Sequence, residues 1–264
     1  MKKKTSVFMS ELSEYDVKEY LKRNNMVIIP VGSLEQHGDH APLGTDTFIP
    51  NEISKRVATK KDAIVAPPIN YSLSSDHKGA SGLAYLNTRT FLSLVEEICS
   101  SFIESGFRKI IIVNGHYSNI GVLTMACNEV SKNAPANTQI YPISYWETLP
   151  EDELDKYLSI NAGLHANVGE TSAIMAIDPT LVDLEKAREF WPKLPKFKNS
   201  PDPALNAYFG AQFGSVYKTF KYGIWGNPKE SSSKKGKEFL DQIEKALIIT
   251  INEIETMYKE LKLK

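Results

Sequence analysis

The chain has 264 residues, a formal net charge of −1 at pH 7, 42% hydrophobic residues and 24% charged residues. This composition is typical of a globular protein that buries its core without disulfides, and the near-neutral charge argues against a nucleic-acid partner. The two cysteines form no CxxC pair, the N-terminal lysines precede no signal-like apolar run, and no apolar stretch approaches membrane-spanning length. We therefore expect one cytoplasmic domain over residues 1–264, with no membrane partner.

The first part of the chain alternates predicted helices with short apolar strands. A helical pattern over residues 11–24 precedes a continuous apolar run over 26–31, which is typical of a strand covered on both faces. A helix over 48–60 and a short strand over 63–66 follow. Residues 67–86 are rich in serine, glycine and asparagine, and they predict a long loop of the kind that often carries function.

The same alternation continues in the middle of the chain. We expect a helix over 88–105, a strand over 109–113, a helix over 120–132 and a strand over 138–144. Short apolar strands separated by helices of this length are typical of a parallel sheet with helices on both faces. The pattern therefore predicts the α/β class and a mainly parallel central sheet.

The last part of the chain departs from this alternation. Residues 191–226 combine prolines with scattered aromatic residues, which predicts an irregular excursion that could reach a neighbouring subunit. Residues 236–262 then predict one long C-terminal helix.

Polar residues follow two of the predicted strands, where ligands bind in open parallel sheets. Glu35 and His37 come after the first strand and His116 after the third, while Asp46 lies a short loop later. Carboxylate and imidazole ligands without thiolate favour zinc, manganese or iron(II). Asp46 could bridge two ions about 3.5–4 Å apart. The alternative is that both histidines are loop residues bonded to the backbone.

A third polar segment runs from His165 to Glu170, at the expected start of a helix. His165 is predicted to be a catalytic proton shuttle, since its unperturbed pKa lies near neutrality. Glu170 is predicted to be a further metal ligand or a catalytic carboxylate, although it could merely stabilise the first helical turn. Ser72, His77 and Tyr117 are predicted to contact substrate.

These segments resemble the creatininase (creatinine amidohydrolase) family. Residues 30–46 are similar to its first signature almost letter for letter, and residues 114–119 to its second. Residues 165–172 are similar to the third, with Asn167 in place of a glycine, and residues 223–228 also look like a family segment. The resemblance implies a creatininase-like three-layer αβα sandwich, a two-metal site and a homohexamer, as in several members.

The resemblance also assigns roles to individual residues. Glu35, Asp46 and His116 match one set of metal ligands, while His37 and the shared Asp46 match the other; the catalytic histidine matches His165. The family's fifth ligand is a glutamate at one of two positions, which Ser118 and Val168 occupy here.

Creatininase itself carries further characteristic residues near this site, and the chain shares only some of them. Tyr117 matches it, whereas the aromatic and acidic residues before its catalytic histidine are absent from residues 161–164. The resemblance therefore implies an amidohydrolase site without the usual aromatic cover over a flat ring.

The predicted function is hydrolysis of a C–N bond in a cyclic amide or formamide-like small molecule, using one or two divalent ions (Zn, Mn or Fe). Related members act on creatinine, a formamidopyrimidine or a peptide. Two alternatives remain at this point. The chain could be a catalytically impaired member that binds a metal or ligand, or it could hydrolyse a sugar-derived ketone.

Overall fold

A parallel sheet lies at the centre of the computed structural model, which describes residues 6–261. Its strands are β1 (Met26–Val31), β2 (Ile64–Val65), β3 (Lys109–Asn114) and β4 (Gln139–Ser144), in the order β2-β1-β3-β4. All neighbouring pairs are parallel. The isoleucines and valines of β1 and β3 are buried on both faces of the sheet, because helices cover both. The predicted parallel sheet is confirmed.

Helices form a layer on each face of this sheet. The helices are α1 (Glu14–Leu21), α2 (Thr45–Lys61), α3 (Thr88–Glu104), α4 (Ile120–Asn133), α5 (Glu151–Tyr157), α6 (Val168–Ile177), α7 (Asp202–Ala211), α8 (Ser215–Thr219) and α9 (Ser233–Glu260). Helices α1, α3 and α4 pack against one face, and α2, α6 and α9 pack against the other. The three-layer αβα sandwich is therefore confirmed.

The structure corrects the predicted course of residues 191–226. Helices α7 and α8 lie within this segment, and they are too short to show a clear apolar period in the sequence. They bury Leu205, Val216 and neighbouring residues in a small separate cluster rather than against the main sheet. Helix α5 was also not predicted from the sequence.

Several helix boundaries also differ from prediction: α1 spans Glu14–Leu21 rather than residues 11–24, and α9 begins at Ser233 rather than at residue 236. Helix α2 begins at Thr45 rather than at residue 48, because its first turn is polar and carries no apolar signal. Asp46 is therefore the second residue of the helix rather than part of the preceding loop. Helix α9 ends at Glu260, and its predicted end at residue 262 lies outside the described residues. Within residues 6–261, no helix is both long and apolar enough to cross a membrane.

The strand order reverses between β1 and β3, which leaves a crevice beyond their carboxyl ends. Each of these two strands is followed by a glycine that contacts the first turn of α2. A Cβ atom at Gly32 would lie 2.4 Å from the backbone oxygen of Asp46, and one at Gly115 would lie 2.2 Å from the same atom. Glycine at both positions therefore allows α2 to bring Asp46 into the crevice.

Candidate metal centre

Buried carboxylates and imidazoles converge in this crevice from five parts of the chain. Potential ligand atoms lie within 4.8 Å of one another in three overlapping groups. The groups are Glu35–Asp46–His116, His37–His165–Glu170 and Glu35–His77–His165. Every predicted metal ligand thus belongs to at least one group, and no side chain among them is more than 8% exposed.

Asp46 joins the two sides of the cluster through different oxygen atoms. Its Oδ2 lies 2.9 Å from Nδ1 of His116 and accepts a hydrogen bond from Ser33 Oγ at 3.0 Å. Its Oδ1 lies 3.1 Å from Nε2 of His37. This is the arrangement expected of a carboxylate that bridges two ions.

Backbone carbonyls orient both of these histidines. Nε2 of His116 donates a hydrogen bond to the carbonyl of Leu73, and Nδ1 of His37 donates to the carbonyl of Glu35 at 3.4 Å. In each neutral ring the other nitrogen is then unprotonated, and it faces carboxylates. Metal-binding histidines are commonly held in this way, with one ring N–H on a carbonyl and the other nitrogen on the ion.

The cluster also contains buried polar atoms without hydrogen bonds. Within residues 6–261, Glu35 Oε2, His37 Nε2 and Glu170 Oε2 have no hydrogen-bond partner. Glu35 Oε2 nevertheless lies 3.1 Å from His116 Nδ1, outside hydrogen-bond geometry. Unpaired buried carboxylate oxygens are costly. Ligand atoms about 2.0–2.1 Å from a tetrahedral zinc lie about 3.3 Å apart, so these residues fit a divalent cation.

Carboxylates control the protonation of the two histidines. Burial acts to lower the pKa of His37, but the adjacent Asp46 carboxylate, together with the charges of Glu170 and Glu35, outweighs it and raises that pKa to about 9. Burial likewise opposes a charged His116, while Glu35 and Asp46 raise its pKa to about 10. Burial acts to raise the pKa of Asp46, yet His37 and His116 hold it well below its usual range. Protons on the two histidines therefore balance the carboxylates in the metal-free protein.

Metal binding is consequently expected to release protons. Between pH 7 and 9, where His37 and His116 are protonated in the metal-free protein, an ion must displace a proton from each nitrogen that it binds. The affinity for the metal ion should therefore rise about tenfold for each unit of increasing pH and each proton released. The affinity should level off above the raised pKa values of the two histidines. Calorimetric titration with Zn²⁺ in buffers of different protonation enthalpy counts these protons. Binding without proton release would contradict these pKa shifts.

Glu170 is the third residue of α6 and lies within the cluster rather than on the helix surface. Asn167 caps the helix by accepting a hydrogen bond from the Glu170 amide at 2.9 Å. Burial raises the pKa of Glu170 to about 7, with His37 opposing and Asp46 adding to this shift. Because Asn167 caps the helix, the Glu170 carboxylate remains available to a ligand beside His37.

His165 is held as a neutral imidazole. Its Nε2 donates to the backbone carbonyl of Gln36 at 2.8 Å, so its Nδ1 is unprotonated in the neutral ring. Burial, followed by the charges of His37 and His77, lowers the pKa of His165 well below its usual value. Ala166, the next residue, is buried with a φ of +49°, a strained conformation of a kind that often occurs at functional sites.

The remaining predicted contacts divide into two groups. His77 and Tyr117 line the cavity above the cluster, and their contact with substrate stays a prediction. Ser72 does not line it: the residue is fully buried, and its hydroxyl donates to the carbonyl of Gly32 at 2.6 Å. Ser72 therefore supports the turn after β1 rather than facing substrate. His40 bonds to the Thr171 hydroxyl at 2.9 Å and belongs to none of the three groups.

A cavity of about 180 Å³ opens above this polar floor. Its walls come largely from the segment that was predicted to be irregular, and the sequence patterns did not reveal them. The spacing of Leu205 and Phe209, one helical turn apart, was the available signal. The apolar wall residues include Trp146, Leu205, Phe209, Val216, Phe220 and Trp225.

Comparisons with known proteins agree with this geometry. The family described as creatininase, creatinine amidohydrolase, matches residues 10–251. A 3-dehydro-scyllo-inosose hydrolase from Thermotoga maritima is 29% identical, over 93% of this chain and 84% of the relative. A creatinine amidohydrolase from Pseudomonas putida is also 29% identical, over 75% of this chain and 83% of the relative.

Solved structures are similar over nearly the whole chain. A creatinine amidohydrolase (creatininase) matches with a TM-score of 0.78 at 25% identity, covering 95% of this chain and 98% of the other. A manganese creatininase matches with a TM-score of 0.77 at 26% identity, covering 94% of this chain and 98% of the other. A mutant creatininase of Zn-Zn type matches with a TM-score of 0.75 at 27% identity, covering 95% of this chain and 98% of the other.

Proposed function

The chain belongs to the creatininase family, and from this premise we propose that it is a metal-dependent hydrolase of a C–N bond in a cyclic amide or formamide-like small molecule. The observation that carries the proposal is the pair of carboxylate–imidazole groups joined through Asp46 beneath a small cavity. The manganese and zinc forms of similar creatininases support either metal.

The chain offers two sets of ligands. Glu35, Asp46 and His116 would hold one ion, while His37, Asp46 and Glu170 would hold the other. Glu170 then replaces the glutamate that relatives carry at the position of Ser118 or Val168. Divalent ions in these places would supply Lewis-acid chemistry by polarising the substrate carbonyl and lowering the pKa of water.

His165 performs the proton transfer. Its unprotonated Nδ1 lies 4.0 Å from Glu35 Oε1, on the side of the cluster, and it accepts the proton of the attacking water. The same nitrogen then gives that proton to the leaving nitrogen as the C–N bond breaks, which leaves the histidine neutral again. The apolar walls hold the substrate ring and limit the entry of other water molecules.

The cavity walls favour an amide ring over a polyhydroxylated ring. Phe209 and Phe220 offer ring contact but no hydrogen-bond partner, and Asp76 and Asn206 are isolated polar groups in a largely apolar wall. A row of hydroxyl groups would therefore be left partly unpaired, which weakens binding. A sugar-derived ketone remains the second candidate, because the Thermotoga maritima relative named for such a substrate aligns with 93% of the chain. The position of Glu170 argues against a catalytically impaired member.

The test is a substrate screen on protein purified without chelator and loaded with Zn²⁺ or Mn²⁺. Creatinine, simple lactams and formamides are compared with cyclic polyol ketones, and products are identified by the mass of one added water. We expect turnover of at least one cyclic amide or formamide and loss of that turnover after chelation. Turnover of polyol ketones alone would select the second candidate, and binding without turnover would select the impaired member.

A further inference from the structure

The side chain of Gln36 lies between two histidines of the cluster and has a fixed orientation. Its Oε1 lies 3.1 Å from the backbone N–H of Gly38, which can only donate, so the oxygen is assigned to that side. A Cβ atom at Gly223, where φ is +67°, would lie 1.5 Å from the same oxygen. Gly223 therefore leaves a slot that admits the amide, and the amide NH₂ faces the histidines.

This orientation determines the tautomer of His77. Gln36 Nε2 lies 3.1 Å from His77 Nδ1, and because an amide nitrogen only donates, Nδ1 must accept. The neutral His77 ring then carries its hydrogen on Nε2, which lies 3.1 Å from Glu35 Oε1. The Nε2–H of His77 thus faces the Glu35 carboxylate, and His77 offers no lone pair at this point. A metal ion in the group Glu35–His77–His165 would have to displace this hydrogen.

The backbone of Gln36 acts on the other histidine. Its carbonyl accepts from His165 Nε2 at 2.8 Å, which leaves His165 Nδ1 unprotonated on the side of the cluster. The amide nitrogen also lies 3.2 Å from His165 Nε2, but two donors meet there and no hydrogen bond results. A side-chain substitution at Gln36 therefore alters the constraint on His77 and leaves the constraint on His165 in place.

We propose that Gln36 is a positioning residue that sets the Nε2–H tautomer of His77. The Nε2–H of His77 then faces Glu35 Oε1, which leaves Glu35 Oε2 to face His116 and the first ion. Its consequence for metal binding rests on the proposed function, whereas the tautomer itself does not. Partners of this kind commonly change metal affinity by about 10- to 100-fold.

The direct test reads the histidine tautomers by long-range ¹H–¹⁵N NMR in full-length protein, both metal-free and Zn²⁺-loaded. The chain has five histidines, so the spectrum can be assigned from single substitutions. In the wild-type protein we expect His77 to carry hydrogen on Nε2 and to have an unprotonated Nδ1. In Gln36→Glu the carboxylate requires a donor, so a hydrogen should appear on His77 Nδ1 while His165 keeps Nε2–H. An Nδ1–H tautomer at His77 in wild-type protein would overturn the proposal.

A second test measures Zn²⁺ affinity by chelator competition and does not depend on turnover. Gln36→Met, which keeps the length of the side chain but cannot donate, is expected to bind the first ion about 10- to 100-fold more weakly. His77→Phe should give a similar loss, and the double variant should lose no more than about twofold beyond His77→Phe alone. Fully additive losses would show that Gln36 does not act through His77. Failure of wild-type protein to bind Zn²⁺ would contradict the proposed function, while the metal-free spectrum would still test the tautomer.

Discussion

Replacing Asp46 by asparagine is expected to remove both ions and to lower kcat/KM by on the order of 10³-fold or more. One carboxylate oxygen faces His116 and the other faces His37. An amide keeps the shape and one oxygen, but its nitrogen cannot bind a cation. The substitution therefore weakens both metal positions at once, whereas loss of Glu35 or Glu170 should affect mainly one.

Metal content measured by mass spectrometry after gel filtration checks this prediction. The matched control is Asp39→Asn, which makes the same chemical change in the same motif on a side chain that is 65% exposed. The control should retain wild-type metal content and turnover. Two ions per chain in Asp46→Asn would refute the bridging role.

Replacing His165 by alanine is expected to lower kcat by about 10²- to 10⁴-fold, the usual contribution of a general acid–base group. Metal content should stay near the wild-type value, because Asp46, Glu35, His37, His116 and Glu170 supply the proposed ligands. The defect should therefore appear in kcat rather than in the metal required for half-maximal activity.

Added imidazole provides the control for this variant. The alanine leaves space beside the cavity, and an exogenous base in that space should restore part of kcat without changing the metal content. A large loss of metal in His165→Ala would instead make this residue a ligand, as its presence in the group with His37 and Glu170 also permits.

The strands and the cluster were predictable because each depends on short-range signals. β1 and β3 are continuous apolar runs, and each is followed at once by polar residues. The carboxyl ends of neighbouring parallel strands must lie side by side, so the sequence alone predicts that Glu35 and His116 meet. Asp46 was placed correctly near them, although its helix begins earlier than its apolar period.

Other features depend on contacts between distant residues and had no local signal. The link between Gln36 and His77 requires an amide orientation set by Gly38 and by the space at Gly223. Ser72 lies in a loop that looked like a substrate contact, yet the nearby Gly32 carbonyl binds its hydroxyl. The role of Glu170 was also left open by the sequence, because its carboxylate faces the cluster only through the packing of α6 beside the distant His37.

The two glycines that follow β1 and β3 have a consequence for how the centre is lost. At both glycines the backbone of Asp46 lies directly against the end of the sheet. The distance between the two proposed ions would therefore depend on main-chain contact with the core rather than on a mobile loop. Regions tied to core strands open only with the whole molecule. Ion release on heating should therefore coincide with cooperative melting, and no partly folded, metal-depleted form should accumulate below that temperature.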